Sequence, residues 1–463
     1  MAYADMREFL ADLEKAGELK HVKTQVDKDW EISTLTRRYF LEMPAEKRPA
    51  LFFDNVKGFD MPVVVSVFGN RKRYALGLGI PTQEIARQWV KALNSPISPK
   101  LVKTGPCKEN IMLGKDIDLL KFPIPVWTPG KDVGPYITAP GCVTKDPETG
   151  IRNVGTYRLQ VKGKNKTGLF YGQKTQHISG HHAKYKKLGR PMEIAVLLGA
   201  NPYVSVCQVT RVPLNMDEFA VAGGFKGAPI ELVKCETVDL EVPATSEIVI
   251  EGEVPPDIEE PEAPFGETSG FMSPLRQSPI INITAITYRN NPIYHSFLSQ
   301  KPPSESTNVK CCGKEGILLW ALQNKGVPGI MDLYCPESGS SGFYIIVSIK
   351  KSSPDHAQQV CNAIWSYAPN NGKYIIVCDD DTDIRNPFDV EWALTYRCDP
   401  VRDTFTRTDV QGSGIDPTRG HVAISGKMGL DATIKQRADY ELALPDKKYF
   451  DKVEARWQEY GLG

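Results

Sequence analysis

The chain has 463 residues, 41% of them hydrophobic and 24% charged, with Lys plus Arg equal to Asp plus Glu at 56 each. That length and composition fit two or three domains with cores of their own. Zero net charge argues against a general affinity for nucleic acid or anionic membranes, so an acidic ligand would have to be drawn in by a local cationic site.

The first residues run straight into an amphipathic helix pattern, without the basic and apolar regions of a secretory leader. No apolar run approaches the roughly 20 residues of a membrane span. A cytoplasmic, reducing setting is expected. The ten cysteines are scattered and none forms a CxxC pair, which predicts buried free thiols rather than disulfides or a zinc site.

Residues 5 to 16 predict a helix, with Phe9, Leu10 and Leu13 on one face and Gly17 as the stop. Strand-like runs follow at Ala50–Phe53 and Pro62–Val65, then a helix near Thr82–Leu93. Residues 1–112 are expected to form an α/β N-terminal domain. Over 113–308, strand signals recur at Gly155–Val161, Glu193–Leu198, Val204–Thr210, Ile230–Leu240, Ile248–Gly252 and Ile280–Tyr288. Short strands with Pro and Gly punctuation favour a mostly antiparallel sheet or barrel. Over 309–440, strands (Gly342–Ile349, Lys373–Cys378) alternate with a helix at His356–Tyr367, predicting a third, α/β domain. Residues 441–463 carry a terminal amphipathic helix with Tyr449, Phe450, Val453 and Trp457 on one side. It can dock on its own domain or on a neighbouring subunit.

The acid-rich run Glu259–Glu267 contains prolines and a glycine, so it reads as a loop or strand edge. Glu259 and Glu260 read as solvated. Glu262 and Glu267 flank the apolar insert Ala263-Pro264-Phe265-Gly266. A carboxyl against an apolar wall is favoured in its neutral, proton-donating form, which is what a carbon centre needs after losing carbon dioxide. Arg158, on an expected strand after Asn153-Val154-Gly155-Thr156-Tyr157, can hold a carboxylate through two parallel hydrogen bonds or sit in a surface ion pair. His177 lies in Gln176-His177-Ile178-Ser179-Gly180-His181-His182, which has no recognised metal-ligand spacing. His181 and His182 read as exposed or supporting residues. A hard divalent ion would suit Asn153 and Glu218 with one imidazole added.

Taken together, these segments resemble the UbiD family of reversible decarboxylases, which includes the ferulic acid decarboxylases. The likeness is carried by Asn153–Arg158, Gln176-His177, Pro191–Ala195, Asp217–Phe219, Glu231–Thr237, Glu262–Glu267, Thr287–Asn291, Trp392–Asp403 and Asp416–Thr418. The resemblance implies a split β-barrel, flavin-binding middle domain between two α/β domains, with the C-terminal domain, 309–440, forming the subunit contacts of an oligomer. It implies prenylated FMN as cofactor, with Val154, Gly155, Thr156, Tyr157, Arg158, Gln176, His177 and Glu218 around it. Asn153, His177 and Glu218 would bind manganese at its phosphate, with potassium nearby. Arg158, Glu262 and Glu267 would be catalytic, with Glu267 the proton donor and Glu262 paired with Arg158.

The expected partners are a small aromatic acid, a flavin prenyltransferase that supplies the cofactor, and further copies of the chain in a homodimer or homohexamer. The substrate wall departs from the ferulic acid type at Pro292–Leu298, where His295 is either a core histidine or a hydrogen-bond partner for a ring substituent. An FMN-dependent reductase and an accessory subunit of a carboxylase complex are the competing readings. The paired glutamates speak against the first, and an intact Arg158, Glu262 and Glu267 set speaks against both.

Overall fold

Asp5 starts the first helix, Met6–Lys15, by accepting the Glu8 N–H at 2.9 Å, and Phe9, Leu10 and Leu13 are buried along one face as the spacing predicts. The computed structural model describes residues 2–172, 176–262, 264–340, 342–422, 424–435 and 442–461. Four short strands form the first sheet in the order Leu19–Val22, Ala50–Phe53, Val63–Val65, Tyr294–Ser296. The last is distant in sequence and pairs in parallel with Val63–Val65, tying the end of the middle segment to the start of the chain.

The middle sheet has ten strands and is open, a half-barrel. Its main path runs Tyr136–Ile137, Leu159–Gly163, Lys166–Gly168, Arg276–Tyr288, Ile248–Val254, Met192–Leu198, Gly141–Lys145, Arg152–Gly155. Arg276–Tyr288 also pairs with Glu259–Glu262 and with Asn110–Leu113. These pairings are antiparallel, and the central strand is apolar on both faces: Met192, Ile194, Val196 and Leu198 enter one core, Ala195 and Leu197 another. The third segment is a five-stranded mixed sheet ordered Ile330–Tyr334, Tyr344–Ile349, Tyr374–Asp379, Ile424–Ala432, Thr404–Gln411, flanked by the helix His356–Tyr367.

Three expected strands differ. Gly155–Val161 is interrupted, with Thr156, Tyr157 and Arg158 in the gap between Arg152–Gly155 and Leu159–Gly163. Ile230–Leu240 yields only Glu231–Lys234, and the next strand begins at Glu241. Val204–Thr210 is no strand at all: Pro202–Cys207 is a helix, capped by the Asn201 side chain, which accepts the Val204 N–H at 3.1 Å. That helix is buried on every side, so its apolar residues carry no helical period.

The helix Glu305–Asn324 binds the segments together. Ser304 caps it, and Glu305 accepts the Ser66 and Phe68 N–H groups at 2.6 and 2.8 Å. Gly313 and Gly316 let it approach Thr210 and Trp89 so closely that any Cβ there would collide. All ten cysteines are free. Among the described residues no helix is long and apolar enough to cross a membrane. In the terminal helix Lys447–Glu454 and the turn after it, Tyr449, Phe450, Val453 and Trp457 stay exposed, so its apolar side does not dock on the other described residues of this chain.

Candidate active site

Breaking the strand at 156–158 turns the Arg158 side chain inward. Strand pairing resumes at Leu159, and the Arg158 carbonyl accepts the Phe170 N–H at 3.1 Å. The guanidinium is stacked 3.9 Å from the Phe170 ring centroid and 4.9 Å from that of Phe265. Its Nε and Nη2 donate to the two Glu262 oxygens, each at 2.8 Å, in a bidentate fork. Nη1 donates to Glu267 Oε1 at 2.5 Å, and Nη2 also reaches Ser273 Oγ at 3.1 Å. Burial works against the arginine's charge, but Glu262 and Glu267 more than offset it and raise its pKa.

The two glutamates differ in placement. Glu262 ends the edge strand Glu259–Glu262, opposite Arg276, and is sealed at 1% side-chain exposure. Glu267 heads a tight turn: its N–H donates to the Phe271 carbonyl at 2.8 Å, and its own carbonyl accepts the Gly270 N–H at 2.9 Å. Gly270 has φ +93°, a conformation that favours glycine. This turn brings the Glu267 side chain, 17% exposed, to the wall of a cavity of about 860 Å3. Behind the pair, the Asp132 carboxyl accepts the Thr128 and Trp127 N–H groups, and burial pushes it up to about 6.

Asn153, Glu218 and His177 line the other end of the same cavity. Asp217 caps the helix Glu218–Lys226 by accepting the Phe219 N–H at 2.8 Å and is itself gripped by Arg152. Glu218 is thereby turned inward, where Oε2 accepts the Val154 N–H at 2.8 Å and Oε1 lies 3.9 Å from His177 Nδ1. Burial pushes the Glu218 carboxyl well up, and burial, with Arg211 and His181 adding, pushes the His177 imidazole down to about 4. Burial thus favours the neutral His177 imidazole, which offers a ligand one ring-nitrogen lone pair. Buried polar atoms with no partner among the described residues gather around this cavity: Asn153 Nδ2, Thr156 Oγ1, Gln176 Oε1, His177 Nε2 and Gln208 Oε1. Natural proteins seldom leave such atoms unpaired, so the wall is built to meet a polar ligand. Gly155 is required here because the Tyr157 ring folds back over it where a side chain would stand.

Among the described residues no three of His, Cys, Asp and Glu gather as metal ligands. The expected set has only two such residues and completes itself with the Asn153 amide. Val154, Gly155, Thr156, Tyr157 and Gln176 all line the cavity. The structure places three histidines whose sequence readings were open. His295 is fully enclosed and lies behind the cavity wall, with the Phe297 ring packed edge-on against it. Phe297, not His295, meets the cavity. His181 and His182 are buried rather than exposed, bonded to Thr144 Oγ1 at 2.9 Å and the Tyr171 hydroxyl at 2.7 Å. Both lie on the helix His177–Lys187, whose polar sequence gives little periodic signal.

Sequence reasoning missed the cations that the helix Glu305–Asn324 brings in. Lys310 and Lys314 line the cavity, as does Arg211. Four-residue spacing in that helix was the available signal.

Three family models match along the chain: the N-terminal domain of 3-octaprenyl-4-hydroxybenzoate carboxy-lyase over residues 10–93, its Rift-related domain over 100–302 and its C-terminal domain over 313–432. Solved structures match over nearly the whole chain. The UbiD-class enzyme HmfF from Pelotomaculum thermopropionicum, in complex with FMN, is 33% identical with a TM-score of 0.87, covering 97% of this chain and 99% of that one. An evolved dimeric form of HmfF, in complex with prFMN, is 33% identical with a TM-score of 0.86, covering 96% and 98%. Vanillic acid decarboxylase from Sedimentibacter hydroxybenzoicus, in closed form, is 30% identical with a TM-score of 0.89, covering 99% of each chain.

If the Arg158 fork holds the buried Glu262 in place, Arg158→Met strands that carboxylate, at a cost of about 3–5 kcal/mol. Chemical denaturation should show a clearly lower midpoint, with part of the loss recovered in Arg158→Met/Glu262→Gln. Arg38→Met breaks only an exposed pair with Glu42 and should barely move it.

Proposed function

The chain belongs to the UbiD family of carboxy-lyases, and from that premise we propose that it decarboxylates an aromatic or heteroaromatic acid, reversibly and without net oxidation, with prenylated FMN in the cavity. The observation that carries this reading is one guanidinium, clamped by a sealed Glu262 and hydrogen-bonded to a cavity-facing Glu267. An ordinary FMN reductase has no use for the second feature, since hydride transfer to or from a flavin calls for no carbon acid beside an arginine.

When bound, the prenylated flavin supplies an electron sink for the pair left on carbon as carbon dioxide departs. The chain's own residues do the rest. Four of the five Arg158 N–H groups are committed to Glu262, Glu267 and Ser273. The remaining Nη1 N–H is the one that receives the substrate carboxylate, and Glu262 fixes the plane in which it is offered. The carbon–carboxyl bond breaks, carbon dioxide leaves, and Glu267 delivers a proton to the carbon that lost it. At high carbon dioxide the same steps run backwards. Phe265, Phe297 and Phe271 wall this end of the cavity and help exclude water.

At the other end, Asn153, His177 and Glu218 fit a hard divalent ion such as manganese, which would neutralise the flavin phosphate. His177 Nε2, with no partner among the described residues, supports that assignment, as does a carboxylate whose charge burial disfavours until a cation is near.

Glu267→Gln should keep flavin but lose both carbon dioxide release and exchange of the product's ring proton with deuterated water. Turnover near that of the parent would remove its acid role. His177→Ala, co-expressed with a flavin prenyltransferase, should be purified short of both manganese and flavin; full occupancy by elemental analysis and absorption would contradict the ligand assignment.

A further inference from the structure

The helix Glu305–Asn324 turns Ser306, Lys310, Lys314 and Ile317 toward the cavity, one residue per turn. Two lysines thus stand about 6 Å apart along the axis, from a rise of 1.5 Å per residue. Lysine is seldom enclosed by protein unless paired. Both are half-buried. Among the described residues neither makes an ion pair, although other part-buried cations do: Arg71 is matched by Glu315, and Arg158 by Glu262. Lys314 at least donates to Asn371 Oδ1, at 3.0 Å. Lys310 makes no hydrogen bond to the described residues. Of the charged side chains that act on it, Glu267 favours its charge and Arg158 opposes it. Lys310 therefore belongs to the reacting end of the cavity. Glu267 is already committed to Arg158 at 2.5 Å.

One aromatic carboxylate satisfies Arg158 and leaves Lys310 as it was. We propose that Lys310 is a specificity-determining residue that binds a second anionic oxygen on the substrate ring, a carboxylate or a phenolic oxygen, while Arg158 takes the carboxylate that is lost. The inference rests on the decarboxylase reading above and narrows its substrate class. Burial lowers the Lys310 pKa, and a bound anion supplies the countercharge that its surroundings withhold. The specificity follows from the same physics. A ring without the second oxygen forfeits one charge-assisted hydrogen bond and leaves the ammonium desolvated, so discrimination comes from the unpaired cation as much as from the contact.

The test uses flavin-loaded wild type, Lys310→Met and Lys310→Arg. The probes are benzoate, 4-hydroxybenzoate and benzene-1,3- and 1,4-dicarboxylate, followed by calorimetric binding and by carbon dioxide release. Wild type should bind at least one oxygen-bearing acid more tightly than benzoate. Lys310→Met should cost that acid about tenfold or more, which is 1.4 kcal/mol, and leave benzoate nearly unchanged. Lys310→Arg should restore most of the preference. The hydroxy and dicarboxylate arms tell phenolic oxygen from carboxylate. Absence of any wild-type preference over benzoate overturns the inference, as does equal weakening of all acids or no weakening in Lys310→Met. Binding that follows these expectations with no carbon dioxide released from any acid would leave Lys310 as an anion-binding residue and sink the decarboxylase reading alone.

Discussion

A guanidinium held inside a protein has to be matched by carboxylates, and the matching of Arg158 organises this molecule's site. The fork from Glu262 fixes the plane of the cation, and the rings of Phe170 and Phe265 hold it from the sides. Once that plane is set, Glu267 has a defined place at the cavity wall. The two carboxylates differ in burial. Glu262 is sealed, and Glu267 meets the cavity.

Building this arrangement required breaking regular structure. A continuous strand from 155 to 161 would have alternated Arg158 with its neighbours across the sheet; the gap at Thr156–Arg158 lets the backbone and side chains of one short segment face the cavity together. The turn that holds Glu267 and the long helix carrying Lys310 complete the walls, with residues near Asn371 and Asp416 from the last segment closing one side. Unpaired buried polar atoms along these walls cost stability in the free chain, and a bound polar ligand recovers it.

Much of this was legible in the sequence, for unequal reasons. The spacing of Glu262 and Glu267 around an apolar insert is local, and the pair does meet Arg158 as the family likeness implied. Helices with one buried face, Met6–Lys15 and His356–Tyr367, show a clean period. What failed was burial without a period. Pro202–Cys207 is packed on all sides, and only Asn201-Pro202 at its start signalled a helix. His295 stayed open between core residue and hydrogen-bond partner because a lone histidine in an apolar run says nothing about which layer it occupies. Lys310 and Lys314 passed unnoticed because lysine is read as solvent-facing by default, and the helix that carries them is buried along most of its length.

The measurement that bears most directly on the account is a structure of the flavin-loaded protein with an unreactive aromatic acid bound. The account predicts the acid's carboxylate against Arg158 Nη1, with Glu267 beside the ring carbon and the Glu262 fork unbroken. An acid seated away from Arg158, with the arginine still closed on both glutamates, would contradict it.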